Sequence, residues 1–251
     1  MEDDIQLKKR FGELSHKAWQ RNIPQFTDFL NLHEQSILHC MPDTQLPGKP
    51  VLFGGYSEAE RQMAAFLPDA LFYTEEMFPM CLVRVVPKNL RYAEALSHRD
   101  YLGTILGLGI ERRCIGDILV MEKEAWIFVE ETLCDLCVRE LVRVRHTSVL
   151  AERMDLQAFH YTPEVETLRG TVASVRLDSL LALAFRMSRS KCVPYIQTGK
   201  VFVNGRCMTS NAYDPQSGDL ISVRGEGKFR YIGEESRSRK GRIFVSIEKF
   251  I

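Results

Sequence analysis

Between Arg176 and Gly205 the sequence leaves its backbone few choices. In RLDSLLALAFRM, residues Leu177, Leu180, Leu181 and Ala184 recur at helical spacing and make one apolar side of an amphipathic helix. Ser188 or Ser190 caps a second, shorter helix, which Gly199 is suited to end. Lys200–Val203 and Arg206–Thr209 flank Asn204-Gly205, the dipeptide that favours a type I′ turn, so these runs pair as a tight hairpin. GDLISVRG and GRIFVSIEKF read as further strands. Met187–Gly205 also carries Arg189, Lys191 and Lys200 with no acidic residue.

That bias belongs to a larger one. The formal net charge is zero, but residues 1–168 hold 18 Lys and Arg against 26 Asp and Glu, whereas residues 169–251 hold 15 against 7. A basic C-terminal third on an otherwise acidic chain fits a localised polyanion-binding face. Charge by itself fits a merely solvated surface equally well. At 251 residues, 45% hydrophobic and 26% charged, the chain can bury a sizeable core in one to three domains. No apolar run approaches the roughly 18–20 residues that span a bilayer. MEDDIQLKKR lacks the apolar core of a secretory signal. Seven irregularly spaced cysteines in a chain of this size point to reduced thiols in a cytosol.

Upstream the pattern alternates. Residues 5–38 read as helical, with Thr27 or Asp28 capping FLNLHEQSIL, and MPDTQLPGKP follows as a loop. VLFGG is a short strand, and Ser57 with Glu60 has the spacing of a capping box that opens a helix. MCLVRVVPK is a strand and Asn89 to about Leu102 a helix. IGDILVMEKEAWIFVEE makes two strand-like runs about EKEA, ETLCDLCVREL is helical, and VRVRHTSVL is a strand. HYTPEVETLRG reads as a linker or edge connection, near which the charge balance changes sign.

The C-terminal order of elements resembles the S-four RNA-binding domain, named after the fourth small-subunit ribosomal protein. The resemblance rests on Arg176-Leu177-Asp178, Ser188-Arg189-Ser190-Lys191, Ile196 and Gly199-Lys200-Val201-Phe202-Val203-Asn204-Gly205, completed by Asp219, Ile221, Val223 and Gly225. Pro194 departs from the pattern, and its missing N–H should delay or bend the second helix. GGYSEAERQMAAFLPD and LSHRDYLGTILGLGIERRCIGDILV extend the likeness to the YlmH family of bacterial proteins. That likeness implies RNA binding in the bacterial cytoplasm and a role on large ribosomal subunits that carry stalled peptidyl-tRNA. It also implies a link to cell-division gene neighbourhoods.

Other motifs carry less. His98-Arg99-Asp100 spells a kinase catalytic triplet, but no Gly-rich loop, metal-binding Asn or DFG accompanies it. Gly103, Gly107 and Gly109 match neither nucleotide-binding spacing. Arg186-Met187-Ser188-Arg189-Ser190 is similar to the KMSKS loop of tRNA synthetases but falls inside the S-four motif. Cys134-x-x-Cys137 has no second pair to complete a zinc site. Arg176-Leu177-Asp178 lacks the Thr-Ser-Gly of a pseudouridine synthase, and no Gly-rich cofactor loop of a methyltransferase follows a strand.

The expectation is therefore an α+β protein: an N-terminal region over 1–78, a central RNA-recognition-like domain over 79–165 and an S-four domain over 171–251. It would be a monomeric, non-enzymatic, cytoplasmic RNA-binding protein without metal or cofactor, partnered by ribosomal RNA, tRNA and the large subunit. An RNA-modifying enzyme and a cell-division scaffold are the alternatives. The RNA-contacting residues would be Arg176, Ser188, Arg189, Ser190, Lys191, Gln197, Lys200, Asn204 and Arg206, with His98, Arg99, Arg112 and Arg113 as a second patch.

Overall fold

The computed structural model describes residues 2–47, 50–68, 73–238 and 241–251. Gly48 and Lys49 of the expected MPDTQLPGKP loop, and Asp69 at the end of GGYSEAERQMAAFLPD, lie outside them. The chain is α+β and divides into two compact units, one of residues 2–34 and 41–161, the other of residues 35–40 and 162–251.

The first unit opens with α1 (Glu2–Arg21), whose first-turn acids and final Arg21 complement the helix dipole and which buries Phe11, Ser15 and Ala18. Asn22, at φ 54°, ends the helix in the left-handed region, and Pro24 follows. The helix expected over 5–38 is thus two, separated by β1 (Gln25–Phe26). The cap of α2 (Leu32–His39) is Asn31 rather than Thr27 or Asp28. Its Oδ1 accepts from the amides of His33 and Glu34, and Glu34 Oε2 accepts from the Asn31 amide at 2.6 Å.

β2 (Val51–Phe53) and β1 flank β3 (Met63–Phe66) in an antiparallel sheet. No helix begins at Ser57. The Glu60 and Arg61 amides that would start one donate instead to the Asp117 carboxylate at 2.7 and 3.1 Å, and Tyr56 Oη donates to it at 2.8 Å.

A five-stranded antiparallel sheet follows, made of β4 (Met80–Pro87), β5 (Ile115–Met121), β6 (Glu124–Glu130), β7 (Arg143–Val144) and β8 (Thr147–Met154) in the order β5-β6-β4-β8-β7. With α3 (His98–Gly107) after β4 and α4 (Cys134–Glu140) after β6, this is a β-α-β-β-α-β arrangement, RNA-recognition-like in topology. Val83, Val85, Ile127 and Val129 pack under Tyr101, Ile105 and Cys137 of the helices. Met80, Leu82 and Phe128 on the opposite face pack against Phe29, Phe53, Met63 and Phe78. Covering on both sides explains the nearly unbroken apolar run of β4.

Asn89–Leu96 is an extended loop rather than helix. Helix α3 starts later because Ser97 and Asp100 form its capping box. VRVRHTSVL is a hairpin, β7 and β8 joined at Arg145-His146. Cys81 and Cys134 are joined by a disulfide, with Cα atoms 6.2 Å apart, where composition points to thiols throughout. The two meet because α4 packs on β4.

The second unit is built on a six-stranded antiparallel sheet of β9 (Val165–Val172), β10 (Val201–Val203), β11 (Arg206–Met208), β12 (Leu220–Val223), β13 (Gly227–Arg237) and β14 (Ile243–Phe250), in the order β11-β10-β12-β13-β14-β9. Two helices, α5 (Leu177–Ala184) and α6 (Arg189–Gln197), bury Leu177, Leu180, Leu181, Cys192 and Ile196 with Val201, Ile221, Phe229 and Ile247. Of the two readings of HYTPEVETLRG, linker or edge connection, residues 165–170 follow the second, as part of the edge strand β9. Asn204 and Gly205 have φ 48° and 75°, the two positive values of the expected type I′ turn. α6 starts directly after Ser188 and runs through Pro194 without interruption.

Candidate nucleic-acid interface

The organising group of the basic segment is a carboxylate. Asp178, in the first turn of α5, is buried, yet accepts from Arg189 Nε at 3.1 Å and Nη2 at 2.5 Å. Arg176 Nε lies 3.5 Å from its other oxygen, within ion-pairing range but without a hydrogen bond's geometry. One buried acid therefore holds two half-exposed guanidinium groups, at the N-cap of α5 and the first residue of α6. An arginine held in this way can offer its remaining N–H groups to a phosphate with less side-chain freedom left to lose on binding.

Ser188 is the N-cap residue of α6, but its hydroxyl lies 3.0 Å from Ser190 Oγ and makes no bond to the helix amides. A helix N-terminus without a side-chain cap, with Arg189, Ser190 and Lys191 exposed around it, attracts anions through its amides and its dipole. Gln197 is exposed at the other end of α6.

The hairpin residues divide by role. Asn204 is a clamp: Nδ2 donates to Asp219 Oδ1 at 2.8 Å, and Oδ1 accepts from the Leu220 amide at 2.9 Å. Asp219 also accepts from Tyr213 Oη and the Gln216 amide, which fixes the turn to β12. Arg206 is exposed, and its charge adds to desolvation in holding the pKa of His39 below the usual histidine value. Lys200 Nζ lies 5.7 Å from the centre of the Tyr195 ring, whose hydroxyl donates to Glu226 at 2.6 Å. The Lys200 carbonyl accepts from the amide of Arg224. Sequence reasoning missed two members of this region: Asp178 as organiser and Arg224 as neighbour of Lys200. The signal for Arg224 was its place at the end of the LISV strand, in register with the start of β10.

The second patch does not assemble as one outward cluster. His98 and Arg99 are exposed at the start of α3. The His98 pKa is lowered by desolvation first and by Arg112 next. Arg112 turns inward, donating to the carbonyls of Ile115 at 2.6 Å and Gly116 at 3.2 Å, and burial beside Arg61 pushes its pKa down to about 10. Arg113 is ion-paired with Glu111 at 2.9 Å and Asp28 at 3.8 Å. Arg61, only 9% exposed, donates to the carbonyls of Phe29, Arg112 and Ile115.

Among the described residues, no helix is long and apolar enough to cross a membrane, and no group of three His, Cys, Asp or Glu is placed to hold a metal.

Comparison with known proteins bears on all of this. The family pattern described as "Putative RNA-binding domain in YlmH" matches residues 74–158, the β-α-β-β-α-β region. A curated relative from Bacillus subtilis (strain 168), named "Ribosome-associated protein quality control protein P2", is 30% identical over 240 residues, 92% of this chain and 91% of the relative. A solved structure described as "Cell division protein ylmH from Streptococcus pneumoniae" superposes with a TM-score of 0.52 at 26% identity, covering 62% of this chain and 93% of that one.

Proposed function

The chain belongs to the YlmH family, and from that premise we propose that it is a non-enzymatic RNA-binding protein of the bacterial cytoplasm that acts on the ribosome. It attaches as a monomer to ribosomal RNA of the large subunit and serves quality control of subunits that carry stalled peptidyl-tRNA. The observation that carries the reading is Asp178 holding Arg176, at the N-cap of α5, and Arg189, at the uncapped start of α6. Arg176, Arg189, Lys191, Lys200 and Arg206 are the phosphate ligands, Ser188, Ser190 and Gln197 the neutral donors beside them, and Asn204 holds the turn. Residues 171–251 are the S-four domain, following an N-terminal region over 1–78 and a central domain over 79–165. The name of the Bacillus relative supports the ribosomal role.

An RNA-modifying enzyme fits less well, because Arg176-Leu177-Asp178 lacks the Thr-Ser-Gly of a pseudouridine synthase and no Gly-rich cofactor loop of a methyltransferase follows a strand. A cell-division role has one point in its favour, the description of the Streptococcus structure. Sucrose-gradient sedimentation of a lysate separates these readings. Co-migration with large subunits, lost in the Arg189→Ala/Lys191→Ala double variant, is the expected result. Migration in the soluble fraction alone refutes the ribosomal role.

A further inference from the structure

The central domain presents a problem if it touches RNA. A four-stranded sheet of this topology stacks unpaired bases on the face away from its helices. Here that face is filled: Leu82 and Phe128 are wholly buried there and Met80 nearly so, packed under Phe29, Phe53 and Phe78. Two of the basic residues singled out from sequence, Arg112 and Arg113, are engaged with carbonyls and carboxylates of the protein itself.

The opposite situation holds at one edge of the same domain. Three segments meet there: the loop after β4, the start of α3 and the two-residue turn between β7 and β8. The Lys88 amide donates to the Ser148 carbonyl at 2.9 Å, and the Glu94 amide donates to Thr147 Oγ1 at 3.2 Å. The His146 amide donates to Glu94 Oε2 at 3.4 Å, and Arg145 Nη1 lies 3.5 Å from Asp100 Oδ1. The loop is thus tied down along its length, and Lys123 Nζ holds the carbonyl of Leu90 as well.

This fixed edge is basic and aromatic. Lys88, Arg91, Arg99, Arg143 and Arg145 are all exposed on it. Of the acids close to it, Glu94 is engaged with the His146 amide, Asp100 with the Ser97 capping box and Arg145, and Glu124, beside Leu90, with Arg84, while Glu122 is exposed next to Lys123. Tyr92 is 74% exposed, with the Arg91 guanidinium 5.8 Å from its ring centre. The Asn89 side chain and carbonyl accept from the amides of Arg91 and Tyr92, so a turn presents this pair. Burying a tyrosine ring is favourable, and leaving one in water on an anchored loop forgoes that gain. An exposed aromatic ring with one guanidinium beside it, on an edge that carries further cations, suits one ligand chemistry above others: a base stacked on the ring, with its backbone phosphates on the cations.

We propose that this edge is the RNA contact of the central domain, that it takes an unpaired nucleotide in a loop or bulge, and that Tyr92 is the stacking residue. The inference rests on the RNA-binding reading above and deepens it, giving the molecule a single-strand contact distinct from the phosphate grip of α6.

The test is fluorescence anisotropy of the full chain with a labelled RNA stem-loop and with a fully paired RNA of equal length. Tyr92→Ala should weaken stem-loop binding by about ten-fold, the scale of one base–aromatic stack, and leave the paired RNA unaffected. Tyr92→Phe keeps the ring and should bind as the parent does. Arg145 has φ 51°, so Arg145→Gly removes the charge while easing the backbone. Combined with Arg143→Gln it should weaken both RNAs and flatten the salt dependence without lowering the melting temperature. Stem-loop binding by Tyr92→Ala equal to the parent's overturns the proposal. So does an unchanged RNA affinity accompanied by weaker ribosome co-sedimentation, which assigns the edge to a protein partner. If Arg189→Ala/Lys191→Ala loses RNA while Tyr92→Ala does not, the general reading stands and this one falls. If the parent binds neither RNA, both fall.

Discussion

Arginine does two different jobs in this molecule, and burial decides which. Arg61 is a structural arginine: its guanidinium satisfies carbonyls of Phe29, Arg112 and Ile115, and desolvation pulls its pKa below the usual value. Arg61→Met should cost about 2–3 kcal/mol, because it leaves buried acceptors without donors. RNA affinity per folded molecule should stay as it was. Arg189 is half exposed and borrows its order from Asp178. Asp178→Asn should cost about 1–3 kcal/mol, since the charge-assisted fork is lost, and should also weaken RNA binding, because both arginines lose their anchor. Arg189→Lys keeps the charge without the fork, so it should retain the salt dependence of binding while losing part of the affinity. Thermal melts and anisotropy titrations on the same preparations separate the two kinds of effect. Equal RNA losses for Arg61→Met and Asp178→Asn would show that burial does not separate the two kinds of arginine.

Strand β9 matters more than its place at the sheet edge implies. It pairs with β14 at eight consecutive positions, from Val172 with Ile243 to Val165 with Phe250, and Gly170 lets Leu183 of α5 approach so closely that a Cβ would stand 2.5 Å from it. A fragment of residues 162–251 should therefore melt at a clearly higher temperature than one of residues 171–251, which leaves β14 with an unpaired edge. Equal melting temperatures would show that β9 adds nothing to the stability of this unit. The sequence made the hairpin legible because Asn204-Gly205 acts locally: both residues take the left-handed conformation, which the short Asn side chain tolerates and Gly, without a Cβ, adopts freely. The helices α5 and α6 were legible from Leu177, Leu180, Leu181 and the serine at 188 for the same reason. β9 was not, since ETLRGT alternates too weakly and its partner lies more than 70 residues away. β13 was missed on similar grounds, its bulges at Ile232 and Glu235 breaking the period of two. The false helix at Ser57 had a correct local signal that lost to Asp117, a tertiary partner 56 residues on from Arg61. Within the candidate site, charge was legible and its organisation was not: Arg176 and Arg189 stand out in the sequence, whereas the buried acid that arranges them looks like any residue of an amphipathic helix.

Attachment and discrimination place different demands on the molecule as a whole. Phosphate contacts release counterions from any RNA, so on the proposed reading the basic segment by itself would give fast, sequence-blind binding that weakens steeply with salt. A ribosome offers such phosphates everywhere, and a protein that recognises one state of the large subunit needs a second contact that only this state supplies. Two weak contacts on one chain multiply through effective concentration, so neither has to be strong. Residues 1–168 carry eight more acidic than basic side chains, and their net charge therefore opposes general RNA affinity. What this part would contribute under the proposal is local: an anchored basic edge on an acidic body, suited to a particular nucleotide geometry rather than to RNA at large. Full-length protein should accordingly co-sediment with large subunits bearing peptidyl-tRNA in preference to empty ones, by a factor of roughly ten, as one added contact of about 1.4 kcal/mol requires. A fragment of residues 162–251 should bind both preparations equally and more weakly, with the same salt dependence as its binding to free ribosomal RNA. Equal binding of the full-length protein to empty and loaded subunits would refute the quality-control role and leave a generic RNA binder. A fragment that kept the preference would place discrimination in the basic unit itself.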